Sequence, residues 1–167
     1  MDAMPRLTHL VIPLGLCSIY GLAVAATATT TLPVSASVIS VCIGLTATSL
    51  TFGNYDPTSA SPTYGSNSIS MQCTLNNSYT IALNGGTTSG GTVALRKMTT
   101  GMQTLNYNLY TTSAHTVIWG DGSSGTSTVA GTGTGLTQTY NVYGGIPVRQ
   151  TSPAGVYSDV ITVTVTY

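Results

Sequence analysis

His115 is the only histidine beyond the first 25 residues, Asp121 follows six positions later, and serines are abundant. These are the ingredients of a Ser-His-Asp triad. A triad is defined by mutual geometry, however, and with serine this common a chance trio is expected. No Gly-x-Ser-x-Gly elbow frames a nucleophile. His115 therefore reads as part of a polar hairpin turn. The chain has no Glu, and beyond residue 25 its carboxylates are Asp56, Asp121 and Asp159. That argues against the paired carboxylates of a glycosidase and against a calcium site, which needs many oxygen ligands. Gly131-Thr132-Gly133-Thr134-Gly135 lacks both the G-x-G-x-x-G spacing and the lysine of a phosphate-binding loop. It reads as a flexible surface loop within the Gly/Thr/Ser stretch Ser123–Gly135. Trp119 and the tyrosines could form a ligand patch, but their strand spacing favours core and cross-strand positions. The residues point to no enzyme, no cofactor and no metal.

The one covalent chemistry that the residue types favour is oxidation of a thiol pair. Cys42 and Cys73 are the cysteines beyond the first 25 residues. In a secreted chain an even pair is expected to form a disulfide. Zinc is disfavoured because the two lie far apart with no histidine nearby.

Secretion is itself read from the sequence. Met1–Ala25 has Arg6 near its start, an apolar run from Leu10 to Val24 and the small-x-small site Ala23-Val24-Ala25, the pattern of a signal peptide that carries Cys17 away with it. The apolar run is shorter than the ~20 residues that span a bilayer. The remainder has Arg96, Lys97 and Arg149 as its only cations. Such a chain has no basic footprint for nucleic acid, and its low charge favours self-association.

The elements that must position these residues are strands. Leu32, Val34, Ala36 and Val38 alternate strictly with Pro33, Ser35 and Ser37, a period of two with one apolar face. The alternation slips at Ile39, after which Ile39, Val41 and Ile43 hold the next apolar face, read as the start of a domain. Further strands are expected at Ser49–Tyr55, Asn67–Cys73, Tyr79–Leu83, Thr92–Met98, Leu105–Tyr110 and Thr116–Trp119. Leu136–Val148 reads as two strands pivoting at Gly144-Gly145, and Gly155–Tyr167 as one long closing strand. Short strands with frequent turn signals and no amphipathic helix indicate an all-β sandwich of immunoglobulin-like type.

Several pieces resemble the spore coat protein U family, which includes pilins of archaic chaperone–usher (Csu-type) pili. They are the alternating N-terminus into Val41-Cys42, Leu50-Thr51-Phe52-Gly53, Ile69-Ser70-Met71-Gln72-Cys73 and Tyr79 to Gly86. They continue with Tyr107-Asn108-Leu109-Tyr110, Trp119-Gly120, Ile146-Pro147, Gly155 to Asp159 and Val163 to Tyr167. The long Ser123–Gly135 stretch departs from the pattern. The resemblance implies an incomplete sandwich completed in trans by a donor strand. In those terms residues 1–25 are the leader, 26–37 the donor strand and 38–167 the pilin domain. Leu32, Val34, Ala36 and Val38 would then fill a neighbour's groove. The implied partners are identical or related pilin subunits, a periplasmic chaperone and an outer-membrane usher. The implied location is a cell-surface pilus reached through the periplasm. The alternative reading is a self-contained coat or matrix protein whose last strand pairs within its own domain.

Overall fold

The computed structural model describes residues 25–167, so the expected leader lies outside them except for Ala25. Residues 25–36 contain no helix or strand and are exposed; residues 37–167 form a compact unit. In that unit the chain makes β1 (Cys42–Ala47), β2 (Thr63–Cys73), β3 (Ser78–Leu83), β4 (Arg96–Thr100), β5 (Gln103–Tyr110), β6 (Val129–Thr132), β7 (Thr137–Ile146) and β8 (Val163–Thr166). There is no helix among the described residues. A five-stranded sheet of order β1-β2-β7-β5-β4 faces a three-stranded sheet of order β6-β3-β8. Every ladder between these strands is antiparallel. The fold is an all-β, immunoglobulin-like sandwich.

The alternation expected of the strands builds the core. Ile69, Met71 and Cys73 of β2, Leu105, Tyr107 and Leu109 of β5, and Tyr79, Ile81 and Leu83 of β3 are buried together with Trp119. Each large apolar side chain removed from water contributes about 1.5–3 kcal/mol. Cys42 and Cys73 stand opposite each other in the β1–β2 ladder and are disulfide-bonded. A covalent loop of this size stabilises a fold by roughly 3–4 kcal/mol through the unfolded state.

The two sheets are also tied by a buried cation. Arg96 is 0 % exposed. It donates from Nε to the Asn84 carbonyl (2.9 Å), from Nη1 to Asn108 Oδ1 (2.8 Å), and from Nη2 to the carbonyls of Leu83 (3.2 Å) and Trp119 (2.8 Å). All four acceptors are neutral, so the charge is spread over backbone dipoles rather than paired with a carboxylate. Trp119 Nε1 in turn donates to the Ile81 carbonyl at 3.0 Å.

Several local expectations are corrected. Ser49–Tyr55 and residues 155–162 carry no strand, and β4 starts only at Arg96. Leu136–Val148 is one strand rather than two. Its glycines are needed for close packing, since a Cβ on Gly144 would meet the Phe52 ring at 2.7 Å. The Gly/Thr/Ser stretch is not all loop, because β6 pairs along β3 from Tyr79↔Gly131 to Ile81↔Val129. No side-chain alternation announces β6: its bonds come from β3's free edge, and the Tyr79 and Tyr140 rings occupy the space a side chain at Gly131 would need. Thr116–Trp119 forms only isolated bridges. Finally, Ile39, Val41 and Ile43 do not enter the core. Cys42 is the residue of β1 that turns inward to reach Cys73, which leaves its two neighbours outside.

Candidate functional site: an open groove

The site is made where ladders stop. β1 leaves β2 at Thr48, whose N–H donates to the Ser68 carbonyl at 3.3 Å and whose hydroxyl donates to Asn67 Oδ1. Among the described residues, the backbone of residues 49–55 then makes no hydrogen bond. Leu50 and Phe52, in phase with each other, lean over the sheet instead, and the Phe52 ring meets Tyr107 edge-on at 6.0 Å. Tyr55 anchors the far end by donating from its hydroxyl to the Pro147 carbonyl and accepting from Gln150 N–H.

The opposite wall is the last segment. It is pinned at Ser158, which exchanges two backbone bonds with Thr99, and at Thr162, which bonds Asn84. Between and before these pins, Tyr157 and Ile161 turn half-buried side chains toward the core, while Val156 and Val160 are exposed. The two walls run in opposite directions and enclose two adjoining clefts of about 460 and 690 Å3, which share Leu50, Phe52, Met98 and Tyr157. Ile69, Leu83, Leu109 and Val142 line the first, and Leu105 and Ile146 the second. The result is one long apolar groove, with unpaired backbone along the wall at residues 49–55.

A single carboxylate lies in that lining. Asp159 accepts from Thr87 N–H and hydroxyl, Thr88 N–H and hydroxyl, and the Tyr107 hydroxyl at 2.8 Å. Burial alone would raise its pKa, but the bonds from Tyr107, Thr88 and the backbone outweigh it and hold the carboxyl below its ordinary value. The same bond, after burial, pushes the Tyr107 hydroxyl pKa upward. Asp159 is thus a latch that fixes one wall to the loop after β3, and its charge is consumed by that work.

The residues singled out by sequence fall in different places. Leu32, Val34 and Val38 are 84, 88 and 85 % exposed, and Ala36 is exposed as well. None of the four lies in a strand. Asp121 is occupied in its own turn, accepting from Ser123 N–H and hydroxyl. His115 is not a simple turn residue. It stacks on Tyr64 at 4.0 Å, with Tyr110 and Tyr143 edge-on, and its buried Nε2 has no partner among the described residues. The groove walls escaped the sequence reading. The signal that could have found them is the phase match of Leu50 with Phe52, and the absence of any strand left over to cover Tyr157, Ile161 and Val163.

The model of the Spore Coat Protein U domain matches residues 28–164. The chain belongs to that family. Protein U of Myxococcus xanthus is 36% identical over 157 residues, which cover 86% of this chain and 87% of that protein. Among solved structures, this Spore Coat Protein U domain is similar to the CsuC–CsuE chaperone–tip adhesion subunit pre-assembly complex from archaic chaperone–usher Csu pili of Acinetobacter baumannii. The TM-score is 0.55 and the identity 25%, covering 78% of this chain. The match spans 40% of the other chain's length.

Proposed function

We propose that this domain is a non-catalytic structural subunit of a chaperone–usher pilus, assembled by donor-strand exchange. The observation that carries the reading is the groove. Its apolar floor, open between a wall of unpaired backbone at residues 49–55 and the last segment, lacks one strand, and an open edge of that kind is completed by strand addition. The same chain carries a candidate for that strand. Leu32–Val38 alternates apolar and polar, is exposed, and if extended spans about 20 Å.

In this reading residues 26–37, with Val38 completing the apolar face, enter the groove of another copy, and residues 38–167 are the accepting domain. A leader at residues 1–25 sends the chain to the periplasm. A periplasmic chaperone occupies the groove first, and an outer-membrane usher exchanges it for the next subunit at the cell surface. The resulting filament serves surface attachment and biofilm formation. Support comes from the family, from the neighbour's being a chaperone–subunit complex, and from the groove.

The test is a set of single substitutions in the full chain, with polymer formation and chaperone-bound yield measured side by side. Leu32→Asp and Val34→Asp would put an unpaired carboxylate into an apolar groove and should abolish polymerisation. Ser35→Asp and Ser37→Asp face away and should polymerise normally. All four should keep wild-type chaperone-bound yield. Equal loss from Val34→Asp and Ser35→Asp rejects the two-faced strand, and loss of chaperone-bound yield in Val34→Asp places the segment inside its own domain.

A further inference from the structure

We propose a second contact between consecutive copies, resting on the donor-strand reading above. The exposed apolar stripe Ile39–Val41–Ile43 of the donating copy docks on the end of the accepting copy's groove that carries Val156 and Met102. Among the described residues the side chains of the stripe are left uncovered, while the backbone of Ile39 and Val41 is bonded to Thr74. Ile39 is 73 % and Ile43 57 % exposed, and β1 is an edge strand of the larger sheet. Outward apolar positions on an edge strand and in the segment leading into it are a liability unless something covers them.

Chain connectivity chooses the cover. Ile39 follows Val38 directly, and the disulfide at Cys42 anchors the start of β1 to β2. Consecutive Cα atoms are about 3.8 Å apart, so Ile43 lies at most about 19 Å from Val38. When Val38 sits in a neighbour's groove, that neighbour's surface must lie within reach of the stripe. The tether is too short for the two bodies to separate.

Strand polarity chooses the end. Every ladder between the strands of this domain is antiparallel. The last segment is the wall that continues into a strand, β8, whereas residues 49–55 form none, so the donor's ladder is with the last segment; antiparallel to it, the donor runs from the Val163 end of the groove toward the Val156 end and leaves there. That exit is apolar. Met102, in the β4–β5 turn, is 98 % exposed, and Val156 88 %, beside Pro153 and Ala154. Thr100 joins the two features, since a Cβ on Gly155 would meet its methyl at 3.1 Å. No Asp, Lys or Arg lies in residues 37–45, 99–103 or 152–157, so two uncharged surfaces meet.

The experiment places a photoreactive side chain, Ile43→p-benzoylphenylalanine, in the full chain, assembles polymers and irradiates them. A peptide of residues 26–38 is tested separately for binding to the chaperone-released domain. The expected result is a ladder of cross-linked multimers, mapped by mass spectrometry to the peptide containing Met102 or to residues 152–157. Met102→Asp in the same background should strip most of the ladder while the peptide still binds. Polymers without a ladder, or with cross-links at the Ala47 and Val163 end or between two β1 strands, overturn this contact. A wild-type domain that fails to bind the 26–38 peptide overturns the donor-strand reading instead.

Discussion

β3 and the last segment of the chain carry the same pattern and meet opposite fates. Tyr79, Ile81 and Leu83 alternate and are all buried; Ile161, Val163 and Val165 alternate just as regularly and are only half-buried. The difference is in the neighbours. β3 is hydrogen-bonded on both edges, to β6 and to β8, whereas the last segment has β3 on one side at Val163–Thr166 and a groove on the other. Alternation specifies which face a side chain takes. Burial of that face requires a further strand, and here the described chain does not fold one over the groove.

The sharpest way to break the comparison is to attack the closed side. Arg96→Ala should be the most damaging substitution, because it takes the buried donor from the Leu83, Asn84 and Trp119 carbonyls and leaves Asn108 Oδ1 with only the Leu109 N–H. A loss of about 4 kcal/mol or more is expected in urea unfolding of the full chain. A neutral result would mean that water enters and satisfies the four acceptors.

Next comes the matched pair Ile81→Ala and Ile161→Ala. In the fully packed β3 site the truncation should cost about 2–5 kcal/mol whatever occupies the groove. At Ile161 the cost should be below about 1 kcal/mol with the groove empty and rise above about 2 kcal/mol once the 26–38 peptide is bound. The change in the second value with peptide is the diagnostic quantity. If Ile161 costs the same in both states, the groove is not where its burial is completed.

The smallest effect concerns the latch. The folded-state pKa of Asp159 is lowered, so its ionised form contributes stability that is fully present above the unfolded carboxylate value and lost as pH falls through the folded one. Asp56 and Asp121 are shifted the same way by their own turns, at exposed positions. Asp159→Asn should therefore leave a shallower loss of stability on acidification below about pH 4 than wild type shows. Urea midpoints across that range measure it, and identical slopes would assign the acid sensitivity elsewhere.

These outcomes bear on how much the sequence discloses. The sandwich class and its principal core were legible at β2, β3 and β5, where each strand has neighbours on both sides and period-two patterning translates directly into burial. The disulfide was legible from the cysteine count together with the expected leader. β6 was not, because Val129–Thr132 is held by backbone bonds to β3 while glycine makes room for two tyrosine rings. The inward turn of Cys42 reversed the expected face of Ile39, Val41 and Ile43, since one covalent bond outweighs a weak apolar phase. Arg96 was invisible as a core residue, because its acceptors come from three separate stretches of chain. The groove was legible only as a family expectation; its walls follow from where pairing ends, which no local pattern announces.

The buried cation has a consequence for digestion. Residues 25–167 contain three basic positions at which a trypsin-like protease could cut. Arg96 is sealed between the sheets, Lys97 is half-buried within β4, and Arg149 alone is exposed outside any strand. Cleavage at the first two must wait for the domain to open, and so follows the population of opened molecules rather than the amount of enzyme. The folded unit therefore presents such enzymes with one accessible bond, after Arg149. A cut there falls in the connection after β7, leaving β1–β7 in one piece and the last segment in the other.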